Sequence, residues 1–345
     1  MQLNAVSVDL SKSVFQLSIT NGVGKIVDRK RLSRTQFEKW LCKSDPVRLV
    51  MEGCATCHYW GRVARELGHD VKILHANYVR PYVRRNKTDA SDADALIRAD
   101  ADHDLFPIGI KSEAQQALQL LQSIRSRWVK TRTASINEIR GVFAEFGVIL
   151  SKGCGGFAGK VMAEMSRLPQ LLHHAVEAVV DEILELNERI KEIDRQLKAC
   201  VQQDETAKRL LTVPGVGPQV AVGTISRVPN MHAFKRGRSF SSWMGLTARE
   251  HSSGNRRKLG SITKAGDPEL RVLYIHGARS ALLAAKRKRA SEMELSALES
   301  WALETETRAG HNKATVALAN KMARIVWALY TKGTEFNGDY SLQYT

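Results

Sequence analysis

Residues 3–20 read LNAVSVDLSKSVFQLSIT, with apolar and polar positions alternating on either side of Asp9, Ser11 and Lys12. A period of two is the mark of half-buried strands. Asn21-Gly22 is a turn signal, and Gly24 to Leu32 is the next strand candidate. Arg48-Leu49-Val50-Met51 is a short buried-strand pattern that stops at Glu52-Gly53. Residues 58–67, HYWGRVAREL, read as a helix and Val71 to Leu74 as a further strand. Strands that alternate with helices in this way predict an α/β layered domain over residues 1–110.

Working outward, the pattern turns helical from Ser91 to Ala101, and Pro107 closes the section. Two long helical stretches follow, near 113–146 and 174–203, with Gly153-Cys154-Gly155-Gly156 as their connection. The second carries a heptad: Val176, Ile183, Ile190 and Leu197 at one position, Val179, Leu186, Ile193 and Cys200 at the other. Apolar heptads with charged flanks predict a coiled coil across 111–205, with an amphipathic helix packed inside its own domain as the alternative. A self-associating seam makes the chain a homo-oligomer, a dimer or a tetramer. Beyond Ala207, Val213-Pro214-Gly215-Val216-Gly217-Pro218 is a tight turn between helical segments. Residues 268–285 and 313–330 read as helices, with a charged loop around Lys286-Arg287-Lys288-Arg289. These features define a mainly α region over 206–335 and a loose tail at 336–345.

The chain has 345 residues, enough for two or three domains. Its net charge is +16, and residues 206–345 hold 22 Lys and Arg against 10 Asp and Glu. Charge concentrated in this way points to a polyanionic partner, a nucleic acid. No apolar run reaches the length of a membrane span, and the N-terminus enters a strand pattern without a basic-then-apolar leader. Five cysteines at irregular spacing do not form a disulfide framework, so a reducing cytoplasm is expected. Cys54-Ala-Thr-Cys57-His58 has the spacing of haem attachment. Without export or a second ligand pair, it reads as small thiols packed behind a strand end.

Three constellations carry chemistry. The first is acidic: Asp9 in a strand, Glu52 at the end of another, and Asp89 and Asp92 where Lys87-Thr88-Asp89-Ala90-Ser91-Asp92-Ala93-Asp94 opens a helix. Residues three apart share a helix face, so Asp89 and Asp92 can point at one spot. Converging carboxylates repel unless a cation lies between them, and oxygen-only donors select Mg²⁺ or Mn²⁺, the ions of phosphodiester chemistry. Each acid alone reads equally well as a cap or a surface charge.

The second constellation is basic and hydroxyl-rich: Arg249, His251, Ser252, Ser253, Gly254, Asn255, Arg256, Arg257 and Lys258, followed by Lys264 within Gly260 to Gly266. It suits a phosphate backbone, and a serine there could serve as a nucleophile beside cations that neutralise charge on phosphorus. Phosphate contact alone is the simpler reading. In the third, Pro214-Gly215-Val216-Gly217, the glycines at 215 and 217 could let backbone N–H groups approach a phosphate, or could form a plain helix–helix turn.

VDLSKSVFQL around Asp9, MEGC and HYW around Glu52, NKTDASDADAL around Asp89, GLTAREHSSG and LGSITKAGDPELR resemble the insertion-sequence 110 family of DEDD transposases. The likeness is greatest to its branch typified by insertion sequence 1111, and the motifs run in order over nearly the whole chain. The resemblance implies a RuvC-like, ribonuclease H-like N-terminal domain, a coiled-coil segment and a C-terminal transposase domain. It further implies Mg²⁺ at Asp9, Glu52, Asp89 and Asp92, and a serine nucleophile at Ser253, with Ser252 as the alternative. Family members are guided by a structured non-coding RNA that pairs with donor and target DNA. Departures from the family pattern are Gly-Cys-Ala-Thr-Cys after Glu52, in place of Ala-Cys-Gly-Gly-Ala, Asp94 where Glu is common, and Asn255 for a second glycine.

The expected function is RNA-guided excision and insertion of a mobile element, with covalent phosphoserine chemistry. The alternatives are a site-specific invertase of the same family, a RuvC-type junction nuclease that uses carboxylates and no serine, and an inactive nucleic-acid-binding descendant.

Overall fold

The computed structural model describes residues 4–21, 23–83, 89–102, 104–153 and 155–338. Gly22 of the expected turn, Lys87 and Thr88, the Asp89 side chain, Cys154 and residues 339–345 of the expected tail lie outside the described residues. The chain forms two compact units, residues 1–113 and 114–345.

The first unit is built on a five-stranded sheet. Its strands are β1 (Ala5–Asp9), β2 (Val14–Thr20), β3 (Ile26–Ser33), β4 (Arg48–Glu52) and β5 (Asp70–Leu74), in the order β3-β2-β1-β4-β5. The β1-β2-β3 meander is antiparallel, while β4 and β5 run parallel to β1. The parallel pairings require crossovers, and helices supply them. They are α1 (Arg34–Lys43), started by a Ser33/Gln36 capping box, and α2 (Cys57–Glu66). A short helix α3 (Ala76–Val79) follows β5, and α4 (Asp89–Asp100) comes next.

Side chains alternate across a strand, and the two faces of the sheet have separate cores. Val6, Val8, Leu17, Leu49, Met51 and Ile73 pack on one side with Phe37 and Trp60 of α1 and α2. Val50 and Leu74 pack on the other with Ala95, Leu96 and Ala99 of α4.

The second unit is almost entirely helical. Its helices are α5 (Glu113–Glu145), α6 (Phe157–Glu164), α7 (Gln170–Gln203), α8 (Glu205–Leu210), α9 (Pro218–Arg227), α10 (Gly237–Trp243), α11 (Pro268–Ala290), α12 (Ala297–Ala309) and α13 (His311–Lys332). A two-stranded hairpin, β6 (Ala248–Glu250) and β7 (Leu259–Ile262), stands between α10 and α11.

Helices α5 and α7 lie antiparallel: Arg125 pairs with Asp194 and Arg132 with Asn187, while Ile136, Ile139 and Phe143 pack against Val176, Val180 and Ile183. The heptad seam expected to meet another copy is therefore buried against α5 of the same chain. Val180 and Val201 are buried where the heptad reading placed Val179 and Cys200. The buried stripe of α7 thus takes in more than the two heptad positions, as on an amphipathic helix packed within its own domain.

The expected charged loop at 286–289 is instead the last turn of α11. Lys286 and Lys288 point inward to Glu306 and Glu299 of α12, a helix absent from the sequence reading. Basic side chains also suit a helix C-terminus electrostatically. Among the described residues, no helix is long and apolar enough to cross a membrane.

Candidate active site

Strand register places the first two acids. Val8 pairs with Met51 in the parallel β1–β4 ladder, so Asp9 and Glu52 end neighbouring strands at the same edge. By alternation, Asp9 shares a face with Ser7, and Glu52 shares one with Val50. That is the face covered by α4, because Ser7 Oγ donates to the Ala93 carbonyl at 2.7 Å and Val50 packs with Ala95 and Leu96. Both acids are half-buried.

Helix α4 then aims its start at this edge. Its last residue, Asp100, pairs with Lys72 of β5 at 2.9 Å and with Arg48 at the beginning of β4 at 3.8 Å. The helix thus runs against β1 and β4, with its N-terminus toward their carboxyl ends. Asp89 precedes Ala93 by four residues, about 6 Å along a helix axis. The step from Ser7 to Asp9 is nearly the same, about 6.6 Å along a strand. The backbone that carries Asp89 is therefore level with Asp9, while Asp92, one residue before Ala93, lies between that level and Ser7, and its side chain is half-buried.

Asp94 faces a different flank. Ser18 Oγ donates to it at 2.7 Å, and Arg29 grips both carboxylate oxygens at 3.2 and 2.8 Å. Burial alone would raise the Asp94 pKa, but the hydrogen bonds from Arg29 and Ser18 outweigh it and hold the carboxyl below its ordinary range.

Behind the edge sits Cys54, whose thiol is pushed up to about 12 by burial first, then by Cys57, Glu52 and Asp9. Burial also raises Cys57, and it lowers His58 to about 4 with help from Lys111 and Arg62. Protonated thiols are poor nucleophiles and poor metal ligands, which agrees with the reading of these cysteines as packing groups. Among the described residues, no three His, Cys, Asp or Glu side chains gather as a metal cluster, a set that does not include the Asp89 side chain. The strand ends and the start of α4 carry carboxylates at this edge, the chemistry that fits a hard divalent cation.

The basic, hydroxyl-rich stretch forms the β6–β7 hairpin. Ser253 and Arg256 exchange both backbone hydrogen bonds, N to O 3.2 and 3.1 Å, around a two-residue turn. Gly254, at φ +53°, takes its first position, where glycine is preferred. Asn255 holds the second position without a positive φ, so the loss of the family's second glycine leaves the turn intact.

The two serines differ. Ser252 Oγ donates to Glu250 Oε1 at 2.6 Å and accepts from the Lys258 N–H at 3.1 Å, and so ties the hairpin together. Among the described residues, Ser253 Oγ has no hydrogen-bond partner, and it is exposed at the tip. Arg256 and Lys258 are exposed as well; Arg257 lies 3.6 Å from Glu250, and Arg249 donates to the Thr263 carbonyl at 3.2 Å.

The base of the hairpin is rigid. A Cβ on Gly266 would lie 1.9 Å from the Trp243 carbonyl oxygen, and one on Gly245 would lie 2.3 Å from the Ala265 nitrogen. Buried Arg271 donates to the carbonyls of Met244 and Ala265 at 3.0 and 2.7 Å. Sequence reasoning missed Arg271 and Glu250 although both stand inside the quoted motifs; neither residue type reveals a backbone-anchoring role by its spacing. Lys264 is exposed next to this base at φ +57°.

The third constellation divides. Gly215 packs directly on Gly277 of α11, where a Cβ would approach the Gly277 oxygen to 2.5 Å, so close helix contact accounts for its missing side chain. Gly217 caps α9 ahead of Pro218 and has open space around its Cα.

Residues 207–293 match the transposase family described as IS116/IS110/IS902, and residues 6–147 match a second transposase family, of the DEDD type. A "Probable family 20 transposase" of Pseudomonas aeruginosa is 37% identical over 339 residues, covering 97% of this chain and 98% of the relative. The chain belongs to the IS110 family of transposases. The transposase for insertion sequence element IS1111A of Coxiella burnetii is 34% identical, covering 96% of this chain and 90% of its own. More distantly, the pilin gene-inverting protein of Moraxella bovis is 22% identical over 237 residues, 65% of this chain. As an IS110-family transposase, the chain is an enzyme that cleaves and rejoins DNA, and DNA is its partner.

Proposed function

We propose that the chain excises and inserts its own mobile element, with chemistry divided between the carboxylates Asp9, Glu52, Asp89 and Asp92 and the hydroxyl of Ser253. The observation that carries this reading is the convergence of two adjacent strand ends and the start of α4 on one sheet edge. The strand order β3-β2-β1-β4-β5, with an antiparallel meander continued by parallel strands, supports a RuvC-like fold for the first unit. A Mg²⁺ or Mn²⁺ ion held by the four carboxylates would polarise a phosphate oxygen and neutralise charge on phosphorus.

Ser253 attacks the scissile phosphorus. An Oγ–P bond forms as the bond to the leaving deoxyribose oxygen breaks, and the serine proton ends on that oxygen. One phosphodiester replaces another, so rejoining is the same step reversed. Ser253 suits this role better than Ser252, whose hydroxyl is occupied within the hairpin. Arg249, Arg256, Lys258 and Lys264 supply positive charge for the phosphate backbone.

Sequence choice falls to base pairing with a structured non-coding RNA, as the family resemblance implies. The Moraxella relative favours one second reading, inversion of a chromosomal segment. A structured non-coding segment beside the gene favours the mobile element; its absence favours inversion.

The test is cleavage of element-end DNA by purified protein, with and without Mg²⁺ and with and without transcript from the flanking region. Cutting should need both, and Asp9→Asn should bind DNA without cutting it. Cutting without metal contradicts the carboxylate assignment, and site-specific cutting by RNA-free protein contradicts guidance.

A further inference from the structure

Ser7 and Ser18 face each other across the β1–β2 ladder, and both are completely buried beneath α4. Apolar residues would normally fill such positions between a sheet and a helix. Here each hydroxyl reaches the second turn of α4 instead: Ser7 binds the Ala93 carbonyl and Ser18 binds the Asp94 carboxylate. Arg29, from the edge strand β3, closes the arrangement with two hydrogen bonds to Asp94.

The helix does not need this polar cluster to stay on the sheet. Its later turns are already packed, with Ala95, Leu96 and Ala99 against Val50 and Leu74. Apolar packing is non-directional and fixes a helix only loosely along its axis. Hydrogen bonds to a carbonyl and a paired carboxylate fix it to a fraction of an ångström. These bonds hold the second turn of α4, one turn from Asp89 and next to Asp92, while Asp100 on Lys72 and Arg48 holds the far end separately. Asp92 and Asp94 lie 200° apart along the helix wheel, so the pair held by Arg29 leaves the Asp92 flank clear.

We propose that Asp94, held by Arg29 and Ser18 and backed by Ser7, is a positioning residue that sets where α4 presents Asp89 and Asp92 to Asp9 and Glu52. This rests on the carboxylate reading above. Outer groups that orient metal ligands typically contribute 10–100-fold to metal affinity. The role is distinct from ligation, since Asp94 spends both carboxylate oxygens on Arg29 and Ser18.

The test is calorimetric titration of the full-length chain with Mn²⁺ alone, beside melting curves, for wild type, Asp94→Asn, Arg29→Met, Asp94→Glu and Asp9→Asn. Asp94→Asn and Arg29→Met should each weaken Mn²⁺ binding roughly 10–100-fold, and the double variant no further, because both remove one interaction. Asp94→Glu, which keeps the charge and reaches Arg29, should restore affinity. Arg29 is half exposed, so its variant keeps the fold and the question answerable even where Asp94→Asn melts early. If Asp9→Asn loses Mn²⁺ binding while Arg29→Met and Asp94→Asn bind as wild type, the positioning role is overturned and the carboxylate site stands. If Asp9→Asn binds Mn²⁺ as wild type does, the carboxylate site falls and the positioning role with it.

Discussion

At the sheet edge, Asp9 and Glu52 end strands whose preceding residues Val6, Val8, Leu49, Val50 and Met51 are buried to within 1% of full enclosure. In the β6–β7 hairpin, every residue from Ala248 to Ser261 is exposed, and the stretch is held by its base, by backbone bonds across the hairpin and by Ser252 on Glu250 and Lys258, with no buried core beneath its tip. The first arrangement gives precision: the backbone that carries each acid cannot shift without moving a buried strand. The second gives reach, because an exposed tip can meet a large polyanion that no cleft would admit.

Substitutions inside the buried framework should have the largest effects. Ile183→Asp with Ile190→Asp puts two charges into the seam between α5 and α7, at several kcal/mol each. Because α5 of the same chain covers that seam, circular dichroism should show lost helicity and a collapsed melting transition. A fully helical variant of lower mass would return the seam to self-association.

Next is chemistry at the edge. Asp9→Asn and Glu52→Gln should lower strand cleavage about a thousandfold or more with an unchanged melting temperature, read by single-turnover cleavage and calorimetry. A drop in melting temperature to match would mean that the acids are structural.

Smaller effects test the hairpin. Gly266→Ala at its base drives a methyl group into the Trp243 carbonyl and should cost about 1–3 kcal/mol by denaturant titration, whereas Ser253→Ala at the tip should cost almost nothing. Equal costs would erase the distinction between base and tip. The mildest change is Arg256→Ala with Lys258→Ala. Binding should weaken gradually and the salt dependence should flatten by a slope of roughly 0.9 per lost duplex contact; an unaltered slope would turn these side chains away from DNA.

Much of the first unit was legible in the sequence because alternation in residues 3–20 and the abrupt stop at Glu52-Gly53 are local signals, whereas the strand order and register depend on which strands meet. Helix α1 was not, since its start depends on the Ser33/Gln36 capping box at the end of a long polar strand. The α5–α7 pairing was missed for another reason. A heptad states that a seam is buried but not which helix buries it, and only the antiparallel return through α6 answers that. The acids and the two serines could be named from motif order. The distinction between Ser252 and Ser253 could not, because it lies in a hydrogen bond to Glu250 that hairpin geometry creates. The spacing around Gly215 left a phosphate contact and a plain helix–helix turn both open, and its close approach to Gly277 was not legible because that neighbour in space is 62 residues away.

The central claim is that Ser253 attacks phosphorus at an enzyme whose carboxylates organise the phosphate. It is tested most directly by incubating labelled element-end DNA with protein, guide transcript and Mg²⁺, then resolving the products on a denaturing gel. The account predicts a protein–DNA adduct that Ser252→Ala retains at least in part. Ser253→Ala and Asp9→Asn should both lack it while still binding uncut DNA. Cleavage without any adduct in the wild type, or strand exchange by Ser253→Ala at near wild-type rate, would contradict it.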